Sequence, residues 1–221
     1  MYKLDFSVVF ERLPELLWGC VGTLSLALAG MSLALMIGVG GVLMRQSRLA
    51  LPRIIVKTFV EVIRNTPFLV QIFFLFFAMP FMGLRLSPTT TAIIALAING
   101  GAYAIEIIRG GVESIPRGQT EAGFALGLSK PQIFRFIILK PALRTIYPAL
   151  TSQFIMLTLT SSICSSISAY ELTYVAQQID ADTFRSIEVY LTITGMYLMI
   201  SWLVMSLFAA IAHRSFSYPT K

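Results

Sequence analysis

Five apolar runs, each long enough to cross a lipid bilayer, constrain this chain more than any other feature of its sequence. They lie near residues 17–44, 59–82, 88–108, 146–168 and 187–212. A helix needs about 20 predominantly apolar residues to cross roughly 30 Å of hydrocarbon. With 56% hydrophobic and 13% charged residues, the chain is also too apolar for an ordinary soluble domain. The sequence therefore predicts one all-α membrane domain over residues 1–221, with five transmembrane helices.

The distribution of basic residues predicts the orientation of these helices. Of the 17 Lys and Arg residues, only Lys3, Arg12, Arg85 and Arg185 fall on the side of the amino terminus, and all others fall on the side of the carboxyl terminus. Because basic residues favour the cytoplasmic side, we expect the amino terminus outside and the carboxyl terminus in the cytoplasm. The first 16 residues have a short amphipathic pattern, expected to lie along the outer membrane surface and to be interrupted by Pro14.

The cytoplasmic segment 109–145 is predicted to contain two short helices at an angle. The first covers residues 119–126, and Gly127 ends it because glycine adopts the left-handed conformation without strain. Ser129 and Gln132 have the spacing of a capping box, which starts the next helix. Apolar residues on the first helix suit insertion into a groove of a partner protein. An ordinary interfacial helix between two spans is the alternative.

Polar side chains within the predicted spans are candidates for a translocation pathway, since such residues are costly in lipid unless they face protein or water. Those in spans three and four recur at helical spacing. The candidates are Gln71, Asn99, Tyr103, Glu106, Thr158, Thr160, Ser161 and Ser162. Two structural alternatives stay open: each hydroxyl returns a hydrogen bond to its own helix, and Glu106 pairs with Arg109.

The sequence lacks nucleotide-binding, metal-binding and catalytic motifs, and its glycine-rich string is interpreted as a helix-packing feature. The chain contains no phosphate-binding GxxxxGK[ST] loop, no metal-spaced His/Cys cluster and no nucleophile constellation. It therefore lacks an ATPase site of its own, and no cofactor is predicted to bind to it. The string of Gly38, Gly40 and Gly41 lies inside a predicted span, where it indicates close helix contact.

Four segments together resemble the permeases of the polar amino acid uptake family of ABC importers, which includes histidine, glutamine, arginine and glutamate permeases. They are EVIRNTPFLVQIFFLFF from Glu61, NGGAYAIEIIRGGVESIPRGQTEAGFALGLS from Asn99, YELTYVAQQI from Tyr170 and TFRSIEVYL from Thr183. The part beginning at Glu121 is similar to the family's EAA loop, which contacts the ATPase subunit. The resemblance covers nearly the whole chain.

This resemblance implies a type I ABC importer permease fold with a cytoplasmic coupling helix. The implied ATPase-coupling residues are Glu121, Ala122, Gly123, Ala125, Leu126, Gly127 and Leu128. The implied partners are two ATPase subunits that bind ATP and Mg, a second permease that is a paralogue or a copy of this chain, and an extracytoplasmic amino acid-binding protein. The implied location is the bacterial cytoplasmic (inner) membrane, and the implied substrate is an amino acid.

The chain departs from the family pattern at three places. Gly123 stands where alanine is frequent, and Lys140 separates the apolar run from Pro141. In the fourth span, Leu159 and Thr160 replace a lysine followed by an acidic or amide residue. The last difference predicts an altered pocket and so an altered substrate.

Two other functions are compatible with five apolar spans. An ion-coupled secondary carrier would use an intramembrane carboxylate such as Glu106, although the odd number of spans and the lack of an internal repeat argue against it. A non-transporting assembly subunit would need neither set of polar residues.

Overall fold

The computed structural model describes residues 3–215, which contain helices and no strands. The helices are α1 (Ser7–Glu11), α2 (Leu13–Arg45), α3 (Ala50–Arg64), α4 (Phe68–Ala78), α5 (Pro88–Glu113), α6 (Arg117–Ala125), α7 (Lys130–Ile133), α8 (Leu139–Thr160), α9 (Leu172–Thr183) and α10 (Ser186–Ser215). A π-helical segment joins α7 to α8, and 3₁₀ turns extend the ends of α4 and α8.

Within residues 3–215, four helical stretches are long and apolar enough to cross a membrane. They are α2, α5, α10 and the stretch Lys130–Ile167 that contains α8. A fifth span exists if α3 and the extended α4 count as one broken span, bent by 109°. The five-span, all-α prediction is thus confirmed, but the expectation of an unbroken helix over 59–82 is wrong. Pro67 has no N–H and disfavours helix at the preceding residue, so the chain breaks there.

Side chains satisfy the backbone groups that this break leaves without helical partners. Thr66 Oγ1 donates a hydrogen bond to the carbonyl of Val62 at 2.9 Å. Gln71 Nε2 donates to the carbonyls of Ile63 at 2.8 Å and of Thr66 at 3.0 Å. Broken helices occur in membrane proteins where such partners re-satisfy the backbone. These side-chain hydrogen bonds therefore stabilise the break between α3 and α4.

Helix α2 packs closely on α5, and glycines permit the contact. A Cβ atom on Gly38 would lie 2.8 Å from Ala104 Cβ, and one on Gly41 would lie 2.5 Å from Ile105 Cδ1. Nothing lies within 4 Å of the same position on Gly40. The predicted close helix contact is confirmed for Gly38 and Gly41 and is wrong for Gly40.

The amino-terminal segment packs on the bundle with one face. Helix α1 ends at Glu11, and Pro14 occupies the first turn of α2, so the predicted interruption is confirmed. Val9 is buried in a cluster with Leu16, whereas Phe10 is exposed. The inward face of the pattern therefore contacts protein, and contact of the outward face with a membrane surface stays a prediction.

Helix α9 is a short helix between the last two spans, and its amino-terminal end is held against α2 at the end of the bundle opposite α6. A Cβ atom on Gly22 would lie 2.7 Å from the carbonyl oxygen of Tyr170 and 3.2 Å from Glu171 Cα. A Cβ on Gly19 would lie 2.9 Å from Leu172 Cα. We call this contact between Gly19–Thr23 and residues 170–172 the outer joint.

Replacing Gly22 by alanine should destabilise the protein by about 1–3 kcal/mol, because the new methyl group meets backbone atoms that cannot rotate away. Gly40→Ala on the same helix is the matched control. It should be neutral or slightly stabilising, since that position is open and alanine is the better helix former. Thermal unfolding of both purified variants in detergent measures the difference. Equal midpoints for the two variants would contradict the close contact at the outer joint.

Candidate functional site

Residues 117–133 form a protruding unit, here called the elbow, made of α6, a glycine corner and α7. Gly127 has φ of 75°, and its N–H donates to the carbonyl of Phe124 at 2.9 Å, which closes the end of α6. The N–H of Ser129 donates to Gln132 Oε1 at 2.8 Å at the start of α7. The predicted helix, glycine corner and capping box are confirmed, with the first helix observed over Arg117–Ala125.

The elbow presents large apolar side chains that this chain leaves uncovered. Leu126 is 77% exposed and Phe124 is 50% exposed. Most of the predicted coupling residues are also accessible: Glu121, Ala122, Ala125 and Gly127 are exposed, and Leu128 is half-buried. Uncovered apolar groups on a short helix next to polar ones are typical of a surface that a partner protein covers.

Gly123 occupies a different place from the other predicted coupling residues. It is buried, and a Cβ atom on it would lie 2.8 Å from Ile133 Cγ1 and from Ile137 Cδ1. Gly123 thus lets α6 pack directly on the helical stretch that leads into α8, and its contact is with its own chain. Phe124, half-exposed on α6, is not among the predicted coupling residues. Gly123 could have indicated this exposed position. A glycine in a short helix marks the face that packs closely on a neighbour, and the next residue along the helix points away from that face.

The polar residues of α5 meet the broken span near the middle of the bundle. Asn99 Nδ2 donates to Gln71 Oε1 at 3.0 Å, which brings these two predicted residues together. The guanidinium of Arg64 lies 5.1 Å from the centre of the Tyr103 ring, within the range of a cation–π contact. Arg64 was not predicted, although the Asn-Thr-Pro sequence that follows it is a turn signal that could have indicated the break.

Glu106 is held by two arginines. Arg109 Nη2 lies 2.6 Å from Glu106 Oε2 one turn along α5, and Arg45 Nη1 at the end of α2 contacts Glu106 Oε1. The open alternative of a Glu106–Arg109 pair is therefore confirmed. The carboxylate connects α2 to α5 and is already neutralised.

The hydroxyls of Thr158, Ser161 and Ser162 return a hydrogen bond to their own helix, as the open structural alternative predicts. Thr158 and Ser161 are buried, and their hydroxyls donate to the carbonyls of Phe154 at 2.9 Å and of Thr158 at 2.8 Å. Ser162 donates to Leu159 at 2.7 Å but is only half-buried, as is Thr160. From Ser161 onward the helix is a 3₁₀ helix, which has fewer residues per turn than an α-helix. Residues that would share one face of an α-helix therefore point in different directions here. Thr158 and Ser161 therefore face the interior of this chain, and a pathway role stays a prediction for all four residues.

The outer joint contains a buried carboxylate that the sequence interpretation did not single out. Glu171 Oε1 accepts the N–H of Tyr174 at 2.6 Å, and Oε2 accepts the hydroxyl of Tyr197 on α10 at 2.7 Å. Thr23 Oγ1 on α2 lies 3.5 Å from Oε2 and accepts the N–H of Leu172 at 3.2 Å. Glu171 thus connects α9 to α2 and α10.

Burial has the largest effect on the pKa of this carboxylate. Its burial raises the pKa of Glu171 above its ordinary value, while the hydrogen bonds from Tyr197, Tyr174 and Thr23 act in the opposite direction. None of the ion pairs among residues 3–215 includes Glu171. Within the same residues, no group of three or more His, Cys, Asp or Glu side chains could hold a metal ion.

Comparisons with known proteins agree with this architecture. Residues 21–217 match the family described as "Binding-protein-dependent transport system inner membrane component". The chain is 38% identical over 201 residues to the glutamine transport system permease protein GlnP of Escherichia coli K12, covering 90% of this chain and 92% of that protein. It is 34% identical to the nopaline transport system permease protein NocM of Agrobacterium fabrum, with 91% and 88% covered.

Solved structures give the same result. The chain superposes with a TM-score of 0.90 and 30% identity on a chain from the crystal structure of an amino acid ABC transporter with histidines, covering 96% of this chain and 100% of that one. A chain of the MetNI methionine ABC transporter in an inward-facing conformation, at 21% identity and a TM-score of 0.77, shares the fold. This chain therefore belongs to the family of binding-protein-dependent transport system inner membrane components, the permease subunits of ABC importers.

Proposed function

We propose that this chain forms the translocation pathway of an ATP-driven amino acid importer in the bacterial cytoplasmic membrane, together with a second permease. The observation that carries the proposal is the exposed apolar elbow of a chain that belongs to this family. The names of its relatives support an amino acid or an amino acid derivative as the substrate class: they include permeases for glutamine, nopaline and L-cystine. Because these substrates differ, the individual amino acid stays open.

In the proposed mechanism, two separate ATPase subunits bind ATP and Mg and contact one elbow each. Binding of ATP brings the ATPases together, and the elbows move with them. Gly123 packs directly on Ile133 and Ile137, so a displacement of α6 would push on the stretch Lys130–Ile167 that contains α8. Motion at the cytoplasmic end is thereby transmitted to the pathway, which alternates between inward and outward access.

The proposed pathway runs beside the broken span, between this chain and the second permease. The half-buried Asn99 bonds to Gln71, which in turn bonds to the exposed Thr66, so polar groups meet at mid-depth of the bundle. The half-buried Tyr103 lies beside the guanidinium of the exposed Arg64. Such groups can bind the ammonium and carboxylate of an amino acid that an extracytoplasmic binding protein delivers at the opposite end from the elbow. The half-buried Thr160 would also contribute, and it departs from the family pattern.

The geometry favours this function over the two alternatives. A carrier that couples to protons or sodium needs a carboxylate that can exchange ions, whereas Glu106 is neutralised by Arg45 and Arg109. A non-transporting assembly subunit has no need of an exposed apolar elbow that is packed directly against the helical stretch leading into α8.

A photoreactive residue at position 126 tests the coupling proposal. In membranes that contain the whole transport system, it should form a covalent adduct with the ATPase, because Leu126 points away from its own chain. The matched control is position 184, also largely exposed but located between α9 and α10 at the other end of the bundle, which should give no ATPase adduct. Absence of adducts from positions 122, 124 and 126, or substrate accumulation in proteoliposomes without the ATPase, would contradict the proposal.

A further inference from the structure

Arg64 is a cation without an acidic partner in the described chain, and it lies where the proposed pathway meets the broken span. It is the last residue of α3, and its Cζ atom lies 5.1 Å from the centre of the Tyr103 ring on α5. Within residues 3–215, its guanidinium takes part in no ion pair and no hydrogen bond. The aromatic ring holds the guanidinium in place and leaves its N–H donors for a ligand.

The side chain of Arg64 borders a polar cavity of about 200 Å³ between α2, α3 and α5. The charged lining of this cavity consists of three cations and two carboxylates: Arg45, Lys57, Arg64, Glu61 and Glu106. Glu106 pairs with Arg45 and also with Arg109, and Glu61 lies 3.7 Å from Lys57. The cations therefore exceed the carboxylates by one, and the charge that remains unmatched is that of Arg64.

The acidic residues on the helices that border the pathway are already in ion pairs. In the part of the chain that the structure describes, α3, α4, α5 and α8 contain Glu61, Glu106 and Glu113 as their acidic residues. Each of the three pairs with a basic residue of this chain. A cationic side chain in the pathway would therefore meet the charge of Arg64 and no unpaired carboxylate on these helices. A charge without a partner at this depth is unfavourable.

Asn99 supplies an acceptor for the ammonium group of an amino acid. Its Nδ2 donates to Gln71 Oε1 at 3.0 Å, whereas its Oδ1 accepts no hydrogen bond within residues 3–215. Asn99 and Tyr103 share a face of α5 and are about 6 Å apart along the helix axis. A cationic donor and a neutral acceptor are therefore about one turn apart, which suits a small zwitterion.

We propose that Arg64 binds the α-carboxylate of the substrate and that this permease carries amino acids with an uncharged side chain. The proposal rests on the proposed function of amino acid import and narrows its substrate class. The guanidinium offers two parallel N–H groups to the carboxylate, and the ammonium donates to Asn99 Oδ1. An acidic side chain would bring a second carboxylate to a cavity with one unmatched cation, and a basic side chain would be repelled by that cation.

Equilibrium binding of radiolabelled amino acids to the purified complex of permeases and ATPases, without the extracytoplasmic binding protein, tests this site. Omission of the binding protein ensures that the measured selectivity belongs to the membrane domain. Among uncharged, acidic and basic amino acids, we expect the one that binds most tightly to be uncharged. Arg64→Gln should weaken its binding about tenfold or more, the effect of losing a hydrogen bond between charged groups. The same variant should reduce the discrimination against arginine and lysine.

Arg48→Gln is the matched control, because Arg48 is also exposed but lies in the connection between α2 and α3, outside the cavity. It should bind the amino acid as the wild type does. Unchanged binding by Arg64→Gln, or tightest binding of an amino acid with a charged side chain, would overturn the proposal. The proposed function would survive either result if the wild-type complex with its binding protein imports an amino acid when ATP is supplied.

Discussion

Replacing Leu126 by aspartate should abolish ATP-driven uptake while the membrane domain stays folded. Leu126 is 77% exposed at the tip of the elbow, so the free chain loses little packing when the side chain changes. In the assembled transporter the same position would be covered by the ATPase, and a charge buried there without a partner is unfavourable. Central interface residues contribute about 2 kcal/mol or more, which corresponds to roughly a thirtyfold weaker association.

Co-purification of the ATPase and ATP-dependent uptake into proteoliposomes measure this effect. Phe184→Asp is the control, because Phe184 is also largely exposed, at 84%, but lies at the opposite end of the bundle. Its left-handed φ of 55° also suits aspartate better than most residues, so the control should fold. Phe124→Asp should behave like Leu126→Asp. If both elbow variants retained the ATPase as the wild type does, the elbow would not be the coupling surface.

Replacing Glu171 by alanine should lower the free energy of unfolding by about 3 kcal/mol, because it leaves buried donors without an acceptor. The affected groups are the hydroxyl of Tyr197 and the N–H of Tyr174. Loss of the carboxylate also removes one of two hydrogen bonds to Tyr197 on α10, the other being its contact with Thr173 Oγ1 on α9 at 2.9 Å. Chemical unfolding of the purified protein in detergent, followed by tryptophan fluorescence, measures the change.

Glu171→Gln separates the hydrogen bonds from the charge. The amide oxygen can still accept from Tyr174, and the amide group can still bond to Tyr197, so this variant should be much more stable than Glu171→Ala. An alanine variant as stable as the glutamine variant would show that the carboxyl contacts do not stabilise the outer joint.

Comparison of the wild type with Glu171→Gln also gives a prediction about pH. Because burial raises the pKa of Glu171, the folded protein binds this proton more tightly than the unfolded chain does. The corresponding stability is complete below the ordinary carboxyl pKa and is lost as the pH rises through the raised pKa. The stability of the wild type relative to Glu171→Gln should therefore decrease as the pH rises from the ordinary carboxyl pKa through the raised pKa. Tyr197 and Cys164 are the titratable neighbours from the adjoining helices, and a flat difference between the two proteins would contradict the prediction.

The elbow could be predicted from local sequence because its geometry depends on local rules. Gly127 is left-handed where the sequence predicts a helix end, and Ser129 and Gln132 interact across three residues as a capping box does. The pairing of Glu106 with Arg109 is equally local, since residues three apart share a helix face. The break at Pro67 was also encoded locally, but the hydrophobicity of the surrounding run concealed it.

The sequence by itself determined the number and composition of the spanning segments and the shape of the elbow. These features depend on hydrophobic length and on contacts within a few residues, which a linear pattern contains. Only the tertiary structure decided that Thr158 and Ser161 face protein, that Gly22 admits the backbone just before α9, and that Glu171 accepts a hydrogen bond from Tyr197. These outcomes depend on which helices are neighbours, and helical periodicity marks a face without indicating what lies against it.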